Sequence, residues 1–370
     1  MRRLLPLLLA VTGCATQPAE TLPTIEIPLA APHEATVPTT WNHTNTHEPS
    51  TITPWWSVWN DAVLNELIAQ ALTNNPDTRI ADARLNEIRA LVADPDPDEQ
   101  AIAPIALLAA ENDAHVTQLE VTHAIVTTYA DVRLAELRTE LLKQRMQLAR
   151  NLTARLHRRL EAGLINTRTL REAEQTEIET HQAVARAHQD VQQATAKLAL
   201  LTGTAPIEFK LAAGNMLLNT PSAVDPDLPA AVIARRPDVQ AAWQRLLAAS
   251  TADDKLDDLP LVAGIEQVDS ARNVREVLYQ KAVLAALQEV ESALAAWRAS
   301  KAEYKSAQAF LEIQTANARD SEREIAAGRL SQIDLLKALL AENIAQENVM
   351  LAQHAQHIAY AAAQLALARD

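Results

Sequence analysis

The chain has 370 residues and a formal net charge of −14, and its hydrophobic share of 48% includes few aromatic residues, which make up 3% of the chain. This acidic balance argues against a nucleic-acid partner, because a nucleic-acid-binding surface needs an excess of Lys and Arg. A single cysteine excludes an intrachain disulfide framework, and an apolar share made largely of Ala and Leu favours helices over strands.

The N-terminal segment 1–13 has the organisation of a bacterial export signal. Two arginines precede the apolar stretch LLPLLLAV, which is too short to cross a bilayer as a helix. The following letters VTGC, ending at Cys14, resemble the bacterial lipoprotein signal. That resemblance implies cleavage before Cys14, attachment of acyl chains to it, and retention in the outer membrane, because Ala15 and not Asp follows. An ordinary secretory signal with an incidental cysteine is the alternative.

Residues 14–54 are rich in Pro and Thr, which predicts an extended tether. His43 and His47 are four residues apart in this tether. The surrounding Pro and Thr residues disfavour a stable helix, so we expect solvated loop histidines here and no metal pair.

A tryptophan-rich stretch, WWSVW at 55–59, opens the folded part of the chain and is expected to pack into a core. Asn60 or Asp61 can cap the helix that follows, which is predicted to stop before Pro76. A second helix is predicted from Asp77 to about Val92.

Two long helices joined by a tight turn at Gly163 are predicted between about Asn112 and Thr202. Both arms carry apolar residues at coiled-coil spacing. The outgoing arm has Leu134, Leu137, Leu141, Leu148, Leu152, Leu156 and Leu160, and the return arm has Val184, Val191 and Leu198. Because a helix with a narrow apolar stripe needs a partner, we expect the arms to pack as an antiparallel hairpin.

The same arrangement recurs around Gly328, at an offset of 165 in residue number from Gly163. Upstream, the triplets Asn75-Pro76-Asp77 and Arg236-Pro237-Asp238 are related by an offset of 161. Two nearly equal offsets indicate an internal duplication; a chance likeness of Ala- and Leu-rich helices is the alternative. The predicted organisation is a signal peptide at 1–13, a tether at 14–54, a first repeat at 55–205, a linker at 206–226 and a second repeat at 227–370.

Three stretches carry a resemblance to a known family. They are WWSVWNDAVLNELIAQALTNNPDTRIADARLNEIRA from Trp55, DLPAAVIARRPDVQAAWQRLLAA from Asp227, and VLAALQEVESALAAW from Val283. In this order, with the lipoprotein signal and the duplicated hairpin, the chain resembles the TolC-type outer-membrane efflux factors, in particular their lipid-anchored branch that serves RND pumps. The match covers nearly the whole chain, although no single motif is diagnostic.

The resemblance implies a mainly α fold of long antiparallel hairpins, with three copies closing a hollow cylinder. It also implies an exit duct in a tripartite efflux system, which binds a periplasmic adaptor and an inner-membrane pump, is held by lipid at Cys14, and uses no cofactor. In the family each repeat also contributes strands to a membrane barrel. The segments at those positions, 91–113 and 250–271, lack aromatic residues and sustained alternation, whereas a membrane strand needs about 9–11 alternating residues.

We therefore expect the barrel strands to be shortened or missing. The alternative function is a lipid-anchored periplasmic helical scaffold, or a degenerate efflux factor, that does not conduct.

The sequence has no nucleophilic serine elbow, no nucleotide-binding loop and no HExxH metal motif, so an enzyme is not expected. His354 and His357 are three apart on a predicted helix, but no third ligand is evident, and surface or lumen histidines are the preferred interpretation. An acidic cluster on the first return arm is either a solvated face or a lumen lining; it comprises Glu172, Glu174, Glu177 and Glu179.

The two hairpin turns hold the remaining candidate residues. Gly163 and Gly328 can each end a helix in a left-handed conformation, and Asn166 or Ser331 can cap the helix that follows. An apolar residue at the tip of a polar rod suggests a docking site, and the resemblance implies that the adaptor binds there. The predicted contact residues are Gly163, Leu164, Ile165, Gly328, Arg329 and Leu330. Asp334 is a gate candidate, although an acid near a helix start is also a favourable dipole contact.

Overall fold

The computed structural model describes most of the chain after the tether. The described residues are 38, 40–41, 54–95, 100–212, 223–224, 226–256 and 265–369. For residues 252–271 the description is limited to the backbone. Cys14, the predicted signal peptide and the two tether histidines lie outside these residues.

The described elements are helices. After a short 3₁₀ helix, Trp55–Trp59, come α1 (Ala62–Asn74), α2 (Pro76–Val92), α3 (Ala103–Glu161), α4 (Thr167–Leu201), α5 (Pro229–Arg235), α6 (Pro237–Leu256), α7 (Ile265–Ala326) and α8 (Gln332–Ala366). No strand occurs within the described ranges, so the predicted mainly α class is confirmed for them. Among the same residues, no helix is both long enough and apolar enough to cross a membrane.

The first two helices begin and end within about one residue of the predicted positions. The Asp61 side chain accepts hydrogen bonds from the backbone N–H groups of Val63 (2.9 Å) and Leu64 (3.2 Å), so Asp61 is the N-cap of α1. Asn75 caps α2 in the same way, and Pro76 occupies the first turn, where the missing N–H costs no helical hydrogen bond.

The four long helices form the two predicted hairpins, in which α3 packs on α4 and α7 packs on α8. Helix α3 has 59 residues, which corresponds to a length of roughly 88 Å. It begins at Ala103, ahead of the predicted start near Asn112. The Ala- and Leu-rich sequence before Asn112 favours helix, and Pro104 lies in the first turn, where proline is tolerated.

The two hairpins lie side by side because α3 also packs on α8. Towards the turns the helices are therefore ordered α4, α3, α8, α7. Towards the opposite end α3 lies between α2 and α6, and α6 packs on α7, which gives the order α2, α3, α6, α7. Helices α4 and α7 are the two edges of the layer near the turns.

Each return helix ends against the start of a shorter helix. The Asn75 side-chain N–H donates to the carbonyl oxygen of Leu201 (2.9 Å), where α4 ends and α2 begins. The Arg236 guanidinium donates to the carbonyl oxygen of Ala366 (2.9 Å), where α8 ends and α6 begins. The two related triplets thus join equivalent helix ends, although one uses an amide and the other a guanidinium.

The tryptophan-rich stretch packs into an aromatic core near the ends of the return helices α4 and α8. Trp55 and Trp59 are buried, and their ring centroids are 5.7 Å apart. Tyr360 from α8 lies 5.6 Å from the Trp59 ring and 5.6 Å from the Trp297 ring of α7. The predicted packing role is confirmed for this cluster, which connects the start of the first half to the last two helices.

Candidate functional site at the hairpin tips

The first tip is a tight turn that satisfies the last carbonyl groups of α3. Gly163 has a φ of +67°, and its N–H donates to the carbonyl oxygen of Leu160 at 2.9 Å. The next N–H, of Leu164, donates to the carbonyl oxygen of Arg159 at 2.9 Å. These two bonds close the helix in a Schellman arrangement, as the left-handed glycine predicts.

The second tip repeats this geometry. Gly328 has a φ of +71°, its N–H donates to Ile325, and the N–H of Arg329 donates to Glu324, both at 2.9 Å. A Cβ at Gly163 or Gly328 would meet nothing within 4 Å. A side chain at either glycine would therefore be opposed only by the backbone conformation.

Polar side chains cap both return helices as predicted. The Asn166 side chain accepts from the N–H of Thr169 at 3.0 Å. In the second turn, the Ser331 hydroxyl accepts from the N–H of Asp334 at 3.4 Å, and the Asp334 carboxylate accepts from the N–H of Ser331 at 3.2 Å. This reciprocal pair is a capping box.

The capping box gives Asp334 a structural role. The Ser331 hydroxyl also donates to its carboxylate at 2.6 Å, and this bond holds the pKa of Asp334 below its ordinary value. The carboxylate is therefore ionised and engaged at the helix start. Its predicted role at a gate stays a prediction.

The apolar tip residues divide into two groups. Leu164 is 66% exposed and Leu330 is 37% exposed, so both present apolar surface at the extremity. Ile165 is partly buried and packs on the cluster beneath the tips. Arg329 forms an ion pair with Glu324 at 2.7 Å, so its guanidinium is engaged within its own hairpin. The structure thus leaves Leu164 as the most exposed of the predicted apolar contact residues.

A leucine-rich cluster holds the two tips next to each other. The first hairpin contributes Leu152 and Leu156 from α3 and Leu170 from α4, and the second contributes Ile333 and Leu336 from α8. All five side chains are buried. The tips are therefore one composite surface built from both hairpins.

A buried polar network further along α3 and α8 was missed by the sequence analysis. The Glu347 carboxylate accepts from Arg138 and from Arg145, each at 2.7 Å, and Arg145 also donates to the Asn343 side chain at 2.8 Å. Burial raises the pKa of Glu347, but the two arginines outweigh it and hold the pKa below its ordinary value. Arg138 and Arg145 are one heptad apart, and this spacing was the available signal.

The two histidines on α8 have different surroundings. The His354 ring lies 2.8 Å from the Asp131 carboxylate of α3, whereas His357 is buried with its ring centroid 6.0 Å from that of Trp59. Within the described part of the chain, no group of three His, Cys, Asp or Glu side chains could hold a metal ion.

Three glutamates of the acidic cluster on α4 lie next to side-chain nitrogen atoms, two of them of arginines. Glu174 lies 3.6 Å from His157, and Glu177 lies 3.7 Å from Arg150, so both face α3. Glu172 pairs with Arg168 on its own helix at 3.0 Å. These contacts favour a solvated, paired helix face as the interpretation of the cluster.

The fold is similar to that of solved bacterial outer-membrane proteins. The Campylobacter jejuni CmeC outer membrane channel is 15% identical with a TM-score of 0.77, and the match covers 94% of this chain and 94% of that chain. For the open state of the Neisseria gonorrhoeae MtrE outer membrane channel, the identity is 18%, the TM-score 0.77 and the coverage 92% and 97%. For the outer membrane protein VceC from Vibrio cholerae, they are 17%, 0.69, and 87% and 99%.

No protein-family model and no curated protein sequence gives a significant match to the chain. The fold is therefore assigned from the similarity to solved structures. Because the sequence identities are low, this similarity establishes the fold alone. The resemblance found in the sequence is thereby confirmed at that level, and the chain has the fold of the TolC-type outer-membrane channels.

Proposed function

We propose that this chain is the outer-membrane component of a tripartite efflux system and forms the periplasmic exit duct for small molecules, without catalysing a reaction. The observation that carries this proposal is the helical layer α4, α3, α8, α7, whose two edge helices, α4 and α7, have no further described helix packed on their outer sides near the turns. A layer that covers its inner helices but leaves both edges uncovered is suited to pairing edge to edge with further copies.

The apolar residues on the edges support this assembly. Ile178 on α4 is 59% exposed and Ile313 on α7 is 57% exposed. Ile178 follows Gly163 by the same sequence distance by which Ile313 precedes Gly328, so both lie about 22 Å from the tips. Edge-to-edge contact of two copies would bring these side chains together and remove them from water. Three copies, the number implied by the resemblance, would close the layer into a ring around a lumen.

The proposal includes an anchor and two protein partners. Cys14 would carry the lipid that holds the protein at the outer membrane, with the helical body in the periplasm. Trp41 is buried and its indole N–H donates to the carbonyl oxygen of Asp227 at 2.6 Å, so the chain is fixed to the body there. If fully extended, the stretch from Cys14 to Pro38 would span at most about 80 Å, so Cys14 lies within that distance of Pro38. The hairpin tips would contact the periplasmic adaptor, which connects the duct to an inner-membrane pump.

The test is the conductance of the purified, lipidated full-length protein in planar bilayers. A duct should produce discrete current steps. The matched control is Ile313→Asp, which places a charge on one edge and should abolish both the assembly and the current. A correctly folded assembly of the unchanged protein that gives no current steps would overturn the duct and favour the non-conducting scaffold.

A further inference from the structure

The two hairpin tips differ in charge although they occupy equivalent positions in the two halves. Residues 155–171 contain five Arg and one Glu, whereas residues 320–336, at an offset of 165, contain two Arg and four acidic residues. With histidine neutral, the first tip has a net charge of +4 and the second a net charge of −2. The positive tip belongs to a chain whose net charge is −14.

Helix stability does not account for the arginines at the start of α4. Arg158 and Arg159 lie in the last turn of α3, where a cation is favoured by the helix dipole. Arg168 and Arg171 lie within the first two turns of α4, where the same dipole disfavours a cation. No acidic residue lies in the first turn of α4, whereas α8 has Asp334 at the corresponding place.

The two tips also differ in how many of their arginines form ion pairs within the chain. At the second tip, Arg323 pairs with Asp320 at 3.1 Å, and Arg329 pairs with Glu324. At the first tip, no carboxylate among the described residues lies within ion-pair distance of the Arg158 or Arg171 guanidinium. Arg168 pairs with Glu172 on its own helix at 3.0 Å, and the charge of Arg159 acts on Asp334 of the second tip. The charges of Arg158 and Arg171 are therefore the ones left for contacts outside the chain.

We propose that the first tip is a cationic docking surface for an acidic segment of a partner protein. The surface consists of Arg158, Arg159, Leu164, Arg168 and Arg171, with the exposed Leu164 as its apolar contact. This inference rests on the proposed function, in which the partner is the periplasmic adaptor. It adds the chemistry of the contact: carboxylates of the adaptor pair with the first tip and not with the second.

A protein fits this surface better than an anionic membrane does. All the cations of the first tip are Arg, whose planar guanidinium binds carboxylates through two directed hydrogen bonds. The leucine-rich cluster fixes the acidic second tip beside the basic one, so a membrane surface touching both would repel the second. A partner with a matching pair of oppositely charged patches would instead be oriented by the two tips.

The experiment uses the full chain in cells, with a photo-crosslinking amino acid in place of Leu164. The test variant combines Arg158→Glu, Arg168→Glu and Arg171→Glu. Two of these changes place a carboxylate at the start of α4, where the dipole favours it, so the variant should fold. The control variant, Arg186→Glu with Arg319→Glu, reverses exposed arginines away from the first tip.

We expect the crosslinked partner peptide to carry an excess of Asp and Glu. Its yield should fall about tenfold in the test variant, because electrostatic attraction speeds the encounter, and should stay at the wild-type level in the control. An unchanged yield in the test variant, or a crosslink to a neutral or basic segment, would overturn the proposal. Thermal unfolding of both variants confirms that they are folded.

Two other results would also overturn the proposal, because each would assign the cationic surface to a different binding partner. One is arginine-dependent flotation of the purified protein with mixed phosphatidylethanolamine and phosphatidylglycerol vesicles, which would assign the surface to a membrane. The other is dissociation of the assembly in the test variant on sedimentation, which would assign it to a second copy.

Bilayer conductance of the unchanged protein distinguishes this inference from the proposed function, because it is measured without the adaptor and does not depend on the docking contact. Conductance without charge-dependent crosslinking rejects the docking surface alone. Charge-dependent crosslinking without conductance rejects the duct and keeps the surface.

Discussion

Gly203 and Ala368 occupy the same backbone position in the two halves of the chain, at the offset of 165 that also relates the two hairpin turns. Both have left-handed φ angles, +69° for Gly203 and +47° for Ala368. Each N–H donates to the carbonyl oxygen three residues earlier, Leu200 at 3.0 Å and Leu365 at 2.9 Å. The return helices α4 and α8 therefore end in the same way, but only the first end has the residue that this conformation favours.

This difference predicts opposite effects of two substitutions. Ala368→Gly should raise the free energy of unfolding by about 1 kcal/mol, because it removes the left-handed strain of a residue with a Cβ. Gly203→Ala should lower it by more than that, since its Cβ would lie 2.3 Å from the carbonyl oxygen of Asn74. Gly163→Ala is the control, because its Cβ would meet nothing. Urea unfolding of the three variants measures the order, and an equal loss for Gly203→Ala and Gly163→Ala would contradict the steric argument.

The Glu347 network predicts both a stability loss and a pH dependence. Glu347→Gln should lower the free energy of unfolding by about 2–3 kcal/mol, because it leaves Arg145 partly buried without its carboxylate; the partial exposure of Arg138 reduces the loss. Because folding lowers the pKa of Glu347, its contribution is present above the ordinary value of 4.5 and is lost as the pH falls through the lower folded pKa.

Unfolding measured between neutral pH and pH 3 (about one unit or more below the ordinary Glu value) should therefore show a smaller decline in the Gln variant than in the wild type. Glu140→Gln is the matched control on α3, since Glu140 pairs with Lys143 at an exposed position and should contribute less than about 0.5 kcal/mol. An equal loss of stability in both variants would contradict a larger contribution from the network between the hairpins.

Tyr129 connects the long hairpin to the first helix. Its hydroxyl donates to the Asp61 carboxylate at 2.7 Å, and the side chain is fully buried. Tyr129→Phe should lower the free energy of unfolding by about 1–3 kcal/mol, because a buried acceptor on Asp61 loses its partner. Tyr304→Phe, at a partly exposed position, is the control and should be nearly neutral.

A spectroscopic titration checks the same contact. Burial, followed by the hydrogen bond to Asp61, raises the pKa of Tyr129 to about 12. The stability due to the protonated hydroxyl is therefore complete below the ordinary pKa of 10.0 and is lost as the pH rises towards 12. Tyrosinate absorbance should show one late-titrating group fewer in the Phe variant. A titration curve that keeps this group would contradict the assignment.

The proposed assembly predicts a specific disulfide between copies. Ile178→Cys combined with Ile313→Cys should give disulfide-linked oligomers on oxidation, because the two edges meet at equal distance from the tips. A disulfide requires Cα atoms within about 7 Å, so the result reports direct contact. The control pairs Ile178→Cys with Ile344→Cys, an exposed position at nearly the same level but on the inner helix α8. Oligomers from the control pair, or none from the edge pair, would count against this ring.

The proposed anchor predicts a change of location. Cys14→Ser should move the protein from the membrane fraction to the soluble periplasmic fraction, because several acyl chains are needed for stable binding and the variant can carry none. Cell fractionation with an immunoblot measures this. Retention of the variant in the outer membrane at the wild-type level would show that another part of the protein holds it there.

Local sequence predicted the individual elements well, because the interactions that start and stop a helix involve neighbours in the chain. Gly163 and Gly328 marked both turns, and Asp61, Asn166 and Ser331 cap helices as their residue types predict. The pairing of each long arm with its own return arm also followed from apolar spacing and proximity.

The sequence by itself thus determined the helical hairpins, their turns and their caps. Only the tertiary structure decided that α3 lies between α4 and α8, that Ile165 packs inward while Leu164 stays exposed, and that Glu347 of the second half receives two arginines from the first. The reason is physical. Burial of Leu, Ala and Ile is not directional, so an apolar stripe does not specify its partner, and distant charges become neighbours only after helices pack.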